Sequence, residues 1–496
     1  MRLACARHDD FRSCSIMLFY LFAIAGHPGA WASESSNQEI SAQAQLSLPD
    51  ALKQITDQGG LRSRLEELGV QFTFTYYGDT LGNPSGGVQQ GVRYDGRFGT
   101  IIDADLDKLM GWSGGTFHAS MHEIQGAGLS AKNIENLMPV SSVEEPATTR
   151  LFNLWVEQKL GNETSLRIGQ ITAAQEFLVS QNANLFVNST FGWPLLPAQD
   201  LPSGGPAYPE ATPGIRLKFT PTDQLTLMAA IFNGDLAGPG AGNPVKRDSN
   251  GFAFRVNDPP LLMAELGFAY NQGNSIAQAR NPNQEGSGAV TSAQQSPAGD
   301  STGTGLRGSV KLGAWVYTGS APLERFNAEG EVLDGSAAQP PQHAGNFAVY
   351  GVIDQALWRT DGLASDRGLN FFLRASAAPS DRNLIDLYFD TGLTFKGLIN
   401  SRPDDIVGIG FAFGRISPQA LAREEVAAAS TPISIPRYEA AIELTYQWRI
   451  AQNWSLQPDF QYIIHPSGQV LNPLDVSGGA PIQNATVIGI RTIVKF

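Results

Sequence analysis

The 496 residues carry 34 Lys and Arg against 47 Asp and Glu, a net charge of −13, which excludes the basic surface that nucleic-acid binding requires. The two cysteines, Cys5 and Cys14, fall in an N-terminal leader, so a chain cleaved after it has no thiol for a disulfide, a metal site or a nucleophile. With 53 glycines and 9% aromatic residues the composition suits an all-β chain, and it does not choose between a soluble one and a membrane one.

The chain opens with Arg2, Arg7 and Arg12, then an apolar run at 16–26, then His27-Pro28-Gly29 and the small-x-small site Ala30-Trp31-Ala32. This order predicts a secretory signal over residues 1–32, too short to cross a bilayer. Residues 33–69 are expected to form a periplasmic N-terminal segment. Within it Leu61, Leu65 and Leu68 repeat at helical spacing and predict a short amphipathic helix near the barrel mouth. No other stretch approaches the roughly 18 apolar residues of a membrane helix. A secreted chain of this kind is either soluble or a transmembrane barrel.

From residue 70 to the end the pattern alternates with period two, which puts successive side chains on opposite faces of a strand. In 96–107, Phe98, Thr100, Ile102, Ala104 and Leu106 share one face, and Arg97, Asp103 and Asp105 the other. In 384–395, Ile385, Leu387, Phe389, Leu393 and Phe395 oppose Asp386, Tyr388 and Asp390. In 437–448, Tyr438, Ala440, Ile442, Leu444, Tyr446 and Trp448 oppose Glu439, Glu443, Thr445 and Gln447. In 485–496, Ile488, Ile490, Thr492, Val494 and Phe496 oppose Arg491 and Lys495. Runs of about ten residues have the length of a tilted membrane strand. An apolar face that ends in aromatics belongs outside, in lipid, and the charged face inside, in water.

Strand starts are expected near Val70, Gly96, Gly115, Arg150, Ser165, Gly214, Leu225, Leu261, Leu306, Asn346, Gly368, Leu384, Asp405, Arg437, Trp454 and Ala485, sixteen in all. The fold class is therefore an all-β transmembrane antiparallel barrel over residues 70–496, with an even strand count as bacterial barrels require. Connections alternate between short turns (108–114, 159–164, 221–224, 449–453) and long loops (124–149, 172–213, 233–260, 318–345, 414–436). Residues 271–305 break this rule. Rich in Gln, Ser, Gly and Asn, they read as a disordered insertion at a periplasmic turn, or as a slip in the strand count.

The long segments at 68–87 (LGVQFTFTYYGDTLGNPSGG), 94–112 (YDGRFGTIIDADLDKLMGW), 150–158 (RLFNLWVEQ), 186–194 (FVNSTFGWP), 200–214 (DLPSGGPAYPEATPG) and 380–397 (SDRNLIDLYFDTGLTFKG) resemble the carbohydrate-selective porins of the OprB type. The resemblance implies a 16-stranded outer-membrane barrel with inward-folded loops and a passage for glucose and similar sugars. Gln175 in ITAAQEF departs from it, standing where the resemblance leads one to expect an acidic residue.

A sugar pore needs a narrow constriction lined by groups that replace water hydrogen bonds, yet bind weakly enough to release. Inward parity offers Arg97, Asp103, Asp105, Glu157, Arg167, Arg216, Glu265 and Arg374. The longest loop, 172–213, is stiffened by Pro194, Pro197, Pro202 and Pro206, and offers Trp193, Asp200 and Tyr208. The bland alternatives are a solvated wet interior for the charges, a packing role for Trp193 and a self-packed lid for the loop.

Catalysis finds no support. His118 and His122 in HASMHE would stand about 13 Å apart on a strand at roughly 3.3 Å per residue, too far for one metal. No GxSxG elbow or phosphate loop occurs, and no cofactor or metal is implied. The expected partners are small sugars, outer-membrane lipid and lipopolysaccharide, and the barrel-insertion machinery, whose address a final strand ending in Phe496 resembles. A homo-oligomer is open, since parity identifies no interface. A general porin, a porin for other solutes and a plugged structural barrel are the competing readings.

Overall fold

The alternation dictates a sheet with one greasy and one charged face, and closing that sheet on itself removes its edges. The computed structural model describes residues 57–240, 242–272, 305–322, 342–363, 365–420, 438–475 and 479–496. The leader and most of 271–305 lie outside the described residues. Sixteen strands are described: β1 (Val70–Gly87), β2 (Gly91–Asp105), β3 (Gly115–Gly126), β4 (Thr148–Leu160), β5 (Thr164–Ile171), β6 (Thr212–Phe219), β7 (Leu225–Asn233), β8 (Pro260–Tyr270), β9 (Gly308–Pro322), β10 (Gln342–Arg359), β11 (Gly368–Ala377), β12 (Ile385–Lys396), β13 (Ile406–Ile416), β14 (Tyr438–Ala451), β15 (Trp454–Ile464) and β16 (Gln483–Lys495). Each pairs antiparallel with its sequence neighbours, and β1 pairs with β16 to close the barrel. At the seam Phe74 and Phe496 exchange both backbone hydrogen bonds and stack their rings 5.6 Å apart.

Burial is inverted relative to a soluble protein. Leu217, Leu312, Leu444 and Ile488 are exposed on the outer face, whereas Arg216, Arg374, Arg491, Asp79 and Asp390 are fully buried inside. An outer surface of this composition is stable only against lipid.

The expected strands all exist, including β8 and β9 on either side of residues 271–305, where Tyr270 pairs with Gly308. The strand count does not slip there. β1 runs through Asn83-Pro84-Ser85-Gly86-Gly87, which two register shifts absorb. Such bulges tolerate a proline that has no N–H to donate.

Three sequence expectations are corrected. β2 ends at Asp105, and Leu106–Met110 form a short helix, so Leu106 is buried in a turn instead of facing lipid. Asp105 caps that helix, accepting from the N–H of Asp107 at 3.1 Å and Lys108 at 3.3 Å. Its carboxylate therefore serves the turn. Ile385 is also buried, because a register shift between Ile385 and Leu387 turns it inward at the end of β12.

The predicted helix is α1 (Leu61–Glu67). Arg62 donates to the Phe72 carbonyl at 2.8 Å and so ties it to β1, and the helix buries none of its residues.

Candidate functional site

Two connections at the long-loop end fold into the barrel: residues 127–147, between β3 and β4, and residues 172–211, between β5 and β6. Irregular backbone in a lumen must find partners for its N–H and C=O groups. Here the two loops meet each other first: Ser142 N–H donates to Val187 O at 2.8 Å, and Ser189 N–H to Pro139 O at 2.9 Å. The barrel wall satisfies the rest with side chains of inward parity. Glu439 accepts from the N–H groups of Leu137 and Met138, at 2.8 and 2.7 Å. Glu443 accepts from Val187 and Asn188 at 2.5 and 3.0 Å. Asp354 accepts from the Ser180 hydroxyl at 2.6 Å and the Asn182 amide at 2.8 Å. Gln457 donates to Leu185 O at 2.7 Å, and Gln461 to Val140 O at 2.8 Å.

Arg374 is the densest of these anchors. It donates to the carbonyls of Leu178 (3.1 Å), Thr190 (3.0 Å), Phe191 (2.7 Å) and Gly192 (3.3 Å). Its charge is balanced by Asp390 at 2.5 Å, which also accepts from Tyr388 at 2.5 Å. A guanidinium has donors enough to do all of this at once.

The apolar side of the long loop lies on β13. The inward positions of that strand are Gly408, Gly410, Ala412 and Gly414, a smooth track. A Cβ at Gly410 would come within 2.8 Å of Phe191 and 2.9 Å of Phe186, and one at Gly408 within 2.6 Å of Leu185. Phe186 and Phe191 pack 4.5 Å apart, with Phe372 beside them. The loops thus fill the β10–β16 side of the lumen.

The β1–β6 side carries charge. Glu157 on β4 meets Arg167 on β5 at 2.5 Å and Arg216 on β6 at 3.1 Å. Glu176 from the long loop closes this group by pairing with both arginines. Arg167 also lies 3.7 Å over the Trp155 ring, whose face stacks on His118, and His118 hydrogen-bonds Asp103 at 2.7 Å. Next to it, Asp79 and Arg491 form a buried pair at 2.6 Å that also holds Ser141 and Ser142.

One cluster is different. Arg97 on β2 sits between the rings of Tyr77 (4.4 Å) and Tyr208 (5.3 Å). His122 on β3 packs on Phe152 (4.6 Å) and Tyr208 (5.6 Å) and pairs in register with Arg150 of β4. Arg150 reaches Glu210 at 3.4 Å and Asp248 at 3.8 Å. Nε and Nη1 of both arginines, and Nδ1 of His122, are buried without a hydrogen-bond partner. Above the cluster, burial and neighbouring carboxylates push Glu145 up to about 8, and burial pushes Glu144 and Glu210 up to about 7 against their hydrogen-bonding partners.

The expected site residues therefore divide. Arg97, Glu157, Arg167, Arg216 and Arg374 all face the lumen as parity requires. Asp103 is engaged by His118, and Glu265 is engaged by Leu178 N–H and the Tyr350 hydroxyl, both at 3.0 Å. Asp200 accepts from Ile385 N–H at 3.1 Å, and Tyr208 donates to Val143 O at 3.3 Å. Trp193 donates its indole N–H to Gly204 O at 3.0 Å and packs against the loop core. Gln175 accepts from Asn153 at 3.2 Å, and its neighbour Glu176 makes the arginine contacts. Sequence reasoning missed Arg150, His122, Asp79 and Glu176. Parity was available as a signal for Arg150, but no local signal exists for a loop residue such as Glu176.

Comparison with known proteins agrees with this architecture. Residues 89–496 match the family model described as carbohydrate-selective porin, OprB family. The chain is similar to Porin B of Pseudomonas aeruginosa, 23% identical over 488 residues, covering 90% of this chain and 92% of the relative. It is also similar to the putative porin QuiX of Acinetobacter baylyi, 22% identical over 450 residues, with 83% and 88% covered. The high-pH structure of Pseudomonas putida OprB superposes with a TM-score of 0.71 at 22% identity, covering 89% of this chain and 97% of that one. These relatives are channels, not enzymes. The chain is an outer-membrane β-barrel and belongs to the OprB family of carbohydrate-selective porins.

Proposed function

We propose that this porin passes monosaccharides, glucose among them, by passive diffusion, and that their path narrows where the 172–211 loop faces β1–β4. The observation that carries this reading is the cluster of Arg97, His122, Arg150 and Tyr208, in which buried donors without partners lie beside aromatic faces. Hydroxyl oxygens can accept from such donors, and the C–H face of a pyranose suits an aromatic ring. Most other lumenal charges are already paired to each other or to loop backbone, so they shape the passage without gripping the solute. Trp193 acts through the loop, holding the 193–204 bend by its bond to Gly204 O. The test is sugar flux and single-channel conductance in Arg97→Ala and Trp193→Ala. Both variants are expected to alter glucose flux, the first by lost contact and the second by a loosened loop. Wild-type flux and conductance in both would refute the assignment.

A further inference from the structure

The short-turn end of the barrel carries a cleft outside the sugar path. It holds about 460 Å³ and is formed by two neighbouring turns, the one from β12 to β13 and the one from β14 to β15. Arg402, Asp404, Asp405, Arg449 and Gln452 line it, with Ile450 at its lip. Short turns mark the periplasmic end of an outer-membrane barrel, so the cleft lies at the inner edge of the membrane. The wall beside it is apolar: Trp448 and Ile450 are exposed on β14, and Leu398 and Ile399 on the adjoining turn.

Arg402 is fixed in place, unlike an ordinary surface arginine. Its Nε and Nη2 grip Asp405 at 2.6 and 3.1 Å, and Nη2 also donates to Arg449 O at 2.8 Å. The guanidinium lies 5.4 Å over the Trp448 ring. Asp405 is only 4% exposed and is itself held by the Tyr446 hydroxyl at 2.5 Å and the Arg449 N–H at 2.9 Å. These bonds use one edge of the guanidinium and leave Nη1 without a hydrogen bond among the described residues. An arginine held in this way loses little freedom when an acceptor arrives, and phosphate is the acceptor that its donors suit.

The cleft is also balanced in charge, with Arg402 and Arg449 against Asp404 and Asp405. Asp404 is 45% exposed, and its ion pairs are long, 3.7 Å to Arg449 and 4.0 Å to Lys396. A carboxylate has about four acceptor positions, so an ammonium group can join it. A fitting ligand therefore carries a phosphate and an ammonium on one short headgroup, with an apolar body that continues over Trp448 and Ile450.

We propose that this cleft binds a zwitterionic phospholipid of the phosphatidylethanolamine class from the periplasmic leaflet, with its phosphate on Arg402 Nη1 and its ammonium toward Asp404. A phosphatidylglycerol satisfies the arginine but sets its net negative charge beside Asp404. A phosphatidylcholine is neutral but has no N–H to donate to that carboxylate.

The experiment is native mass spectrometry of the purified full-length mature porin in detergent, titrated separately with dioleoyl phosphatidylethanolamine, phosphatidylcholine and phosphatidylglycerol. One saturable phosphatidylethanolamine is expected, with a Kd at least about fivefold below that of either other lipid, which is about 1 kcal/mol and the upper end of what a partly exposed ion pair contributes. Arg402→Gln should weaken phosphatidylethanolamine binding by about the same factor. Asp404→Asn should keep phosphatidylglycerol binding and abolish the preference against it, and it decides the matter where Arg402→Gln does not yield a heat-modifiable barrel. Absence of saturable binding, equal binding of the three lipids, or tightest binding of phosphatidylglycerol would each overturn the proposal. So would wild-type lipid preference in both folded variants. Glucose conductance should stay at the wild-type level in Arg402→Gln and Asp404→Asn, and its loss in either folded variant would contradict a cleft separate from the sugar path.

Discussion

Replacing Arg374 by Met keeps most of the apolar stem of the side chain and removes its charge and all its donors. Four loop carbonyls lose their donor, and Asp390 is left fully buried with only Tyr388 to stabilise it. Removing one partner of a buried pair costs about 3–5 kcal/mol, because the other charge remains uncompensated. The barrel itself is held by sixteen antiparallel ladders and should stay closed. The loss therefore falls on loop docking at 178 and 190–192. In planar bilayers Arg374→Met should show noisier openings with larger conductance substates, and in liposomes a weaker discrimination between solutes of similar size. The double variant Arg374→Met/Asp390→Leu removes the stranded charge as well and should recover part of the loss. Conductance and noise indistinguishable from wild type, in a heat-modifiable Arg374→Met barrel, would refute the claim that this arginine fixes the loop.

Other expectations follow from the same geometry. Gly410→Leu would drive a side chain into Phe186 and Phe191, and overpacking of this kind costs about 1–3 kcal/mol; the loop should lift from β13, seen as faster protease cleavage within 172–211 while the barrel remains heat-modifiable. Leu444→Arg puts a charge on the outer face of β14, where it should destabilise the barrel by about 2–4 kcal/mol at mid-membrane depth, measured by urea unfolding in lipid. The pH dependence has a defined sign. Glu144, Glu145 and Glu210 keep protons in the folded loops up to about 7 to 8, whereas in an unfolded chain they lose them near 4.5. The folded state thus binds more protons between these values, and loop stability falls as pH rises through that window and levels off above it. The groups facing Glu145 are Glu144, Glu210 and Arg150. Single-channel current should therefore grow noisier from pH 6 to pH 9 as the inward loops loosen, which a pH series of planar-bilayer recordings checks.

The barrel was legible because alternation is local: each strand declares its own two faces, and sixteen such declarations close the sheet. Errors arose where local chemistry competes with that period. Asp105 followed by Leu106-Asp107-Lys108 is a helix cap that also satisfies strand parity. Pro84 and Gly86 are residue types that interrupt a strand, and the bulged pairing with β16 carries β1 through them. The site was legible in part. Parity found the charged wall, but not which charges serve the loops, since Asp79 meets Arg491 and Glu439 meets Met138 across most of the chain. Gly408, Gly410 and Gly414 carried a signal as well. Three glycines on one inward face mark where something packs closely, and nothing local says that it is Phe186 and Phe191.

The most direct test of the central claim is liposome swelling with the purified, refolded mature protein, using glucose, a disaccharide, a neutral amino acid and a polyol of hexose size. A sugar-selective channel narrowed by the inward loops predicts fast hexose entry and clear discrimination against the size-matched polyol. Entry ordered by solute size alone would contradict selectivity at the constriction, and no swelling from a folded, heat-modifiable barrel would contradict transport through it.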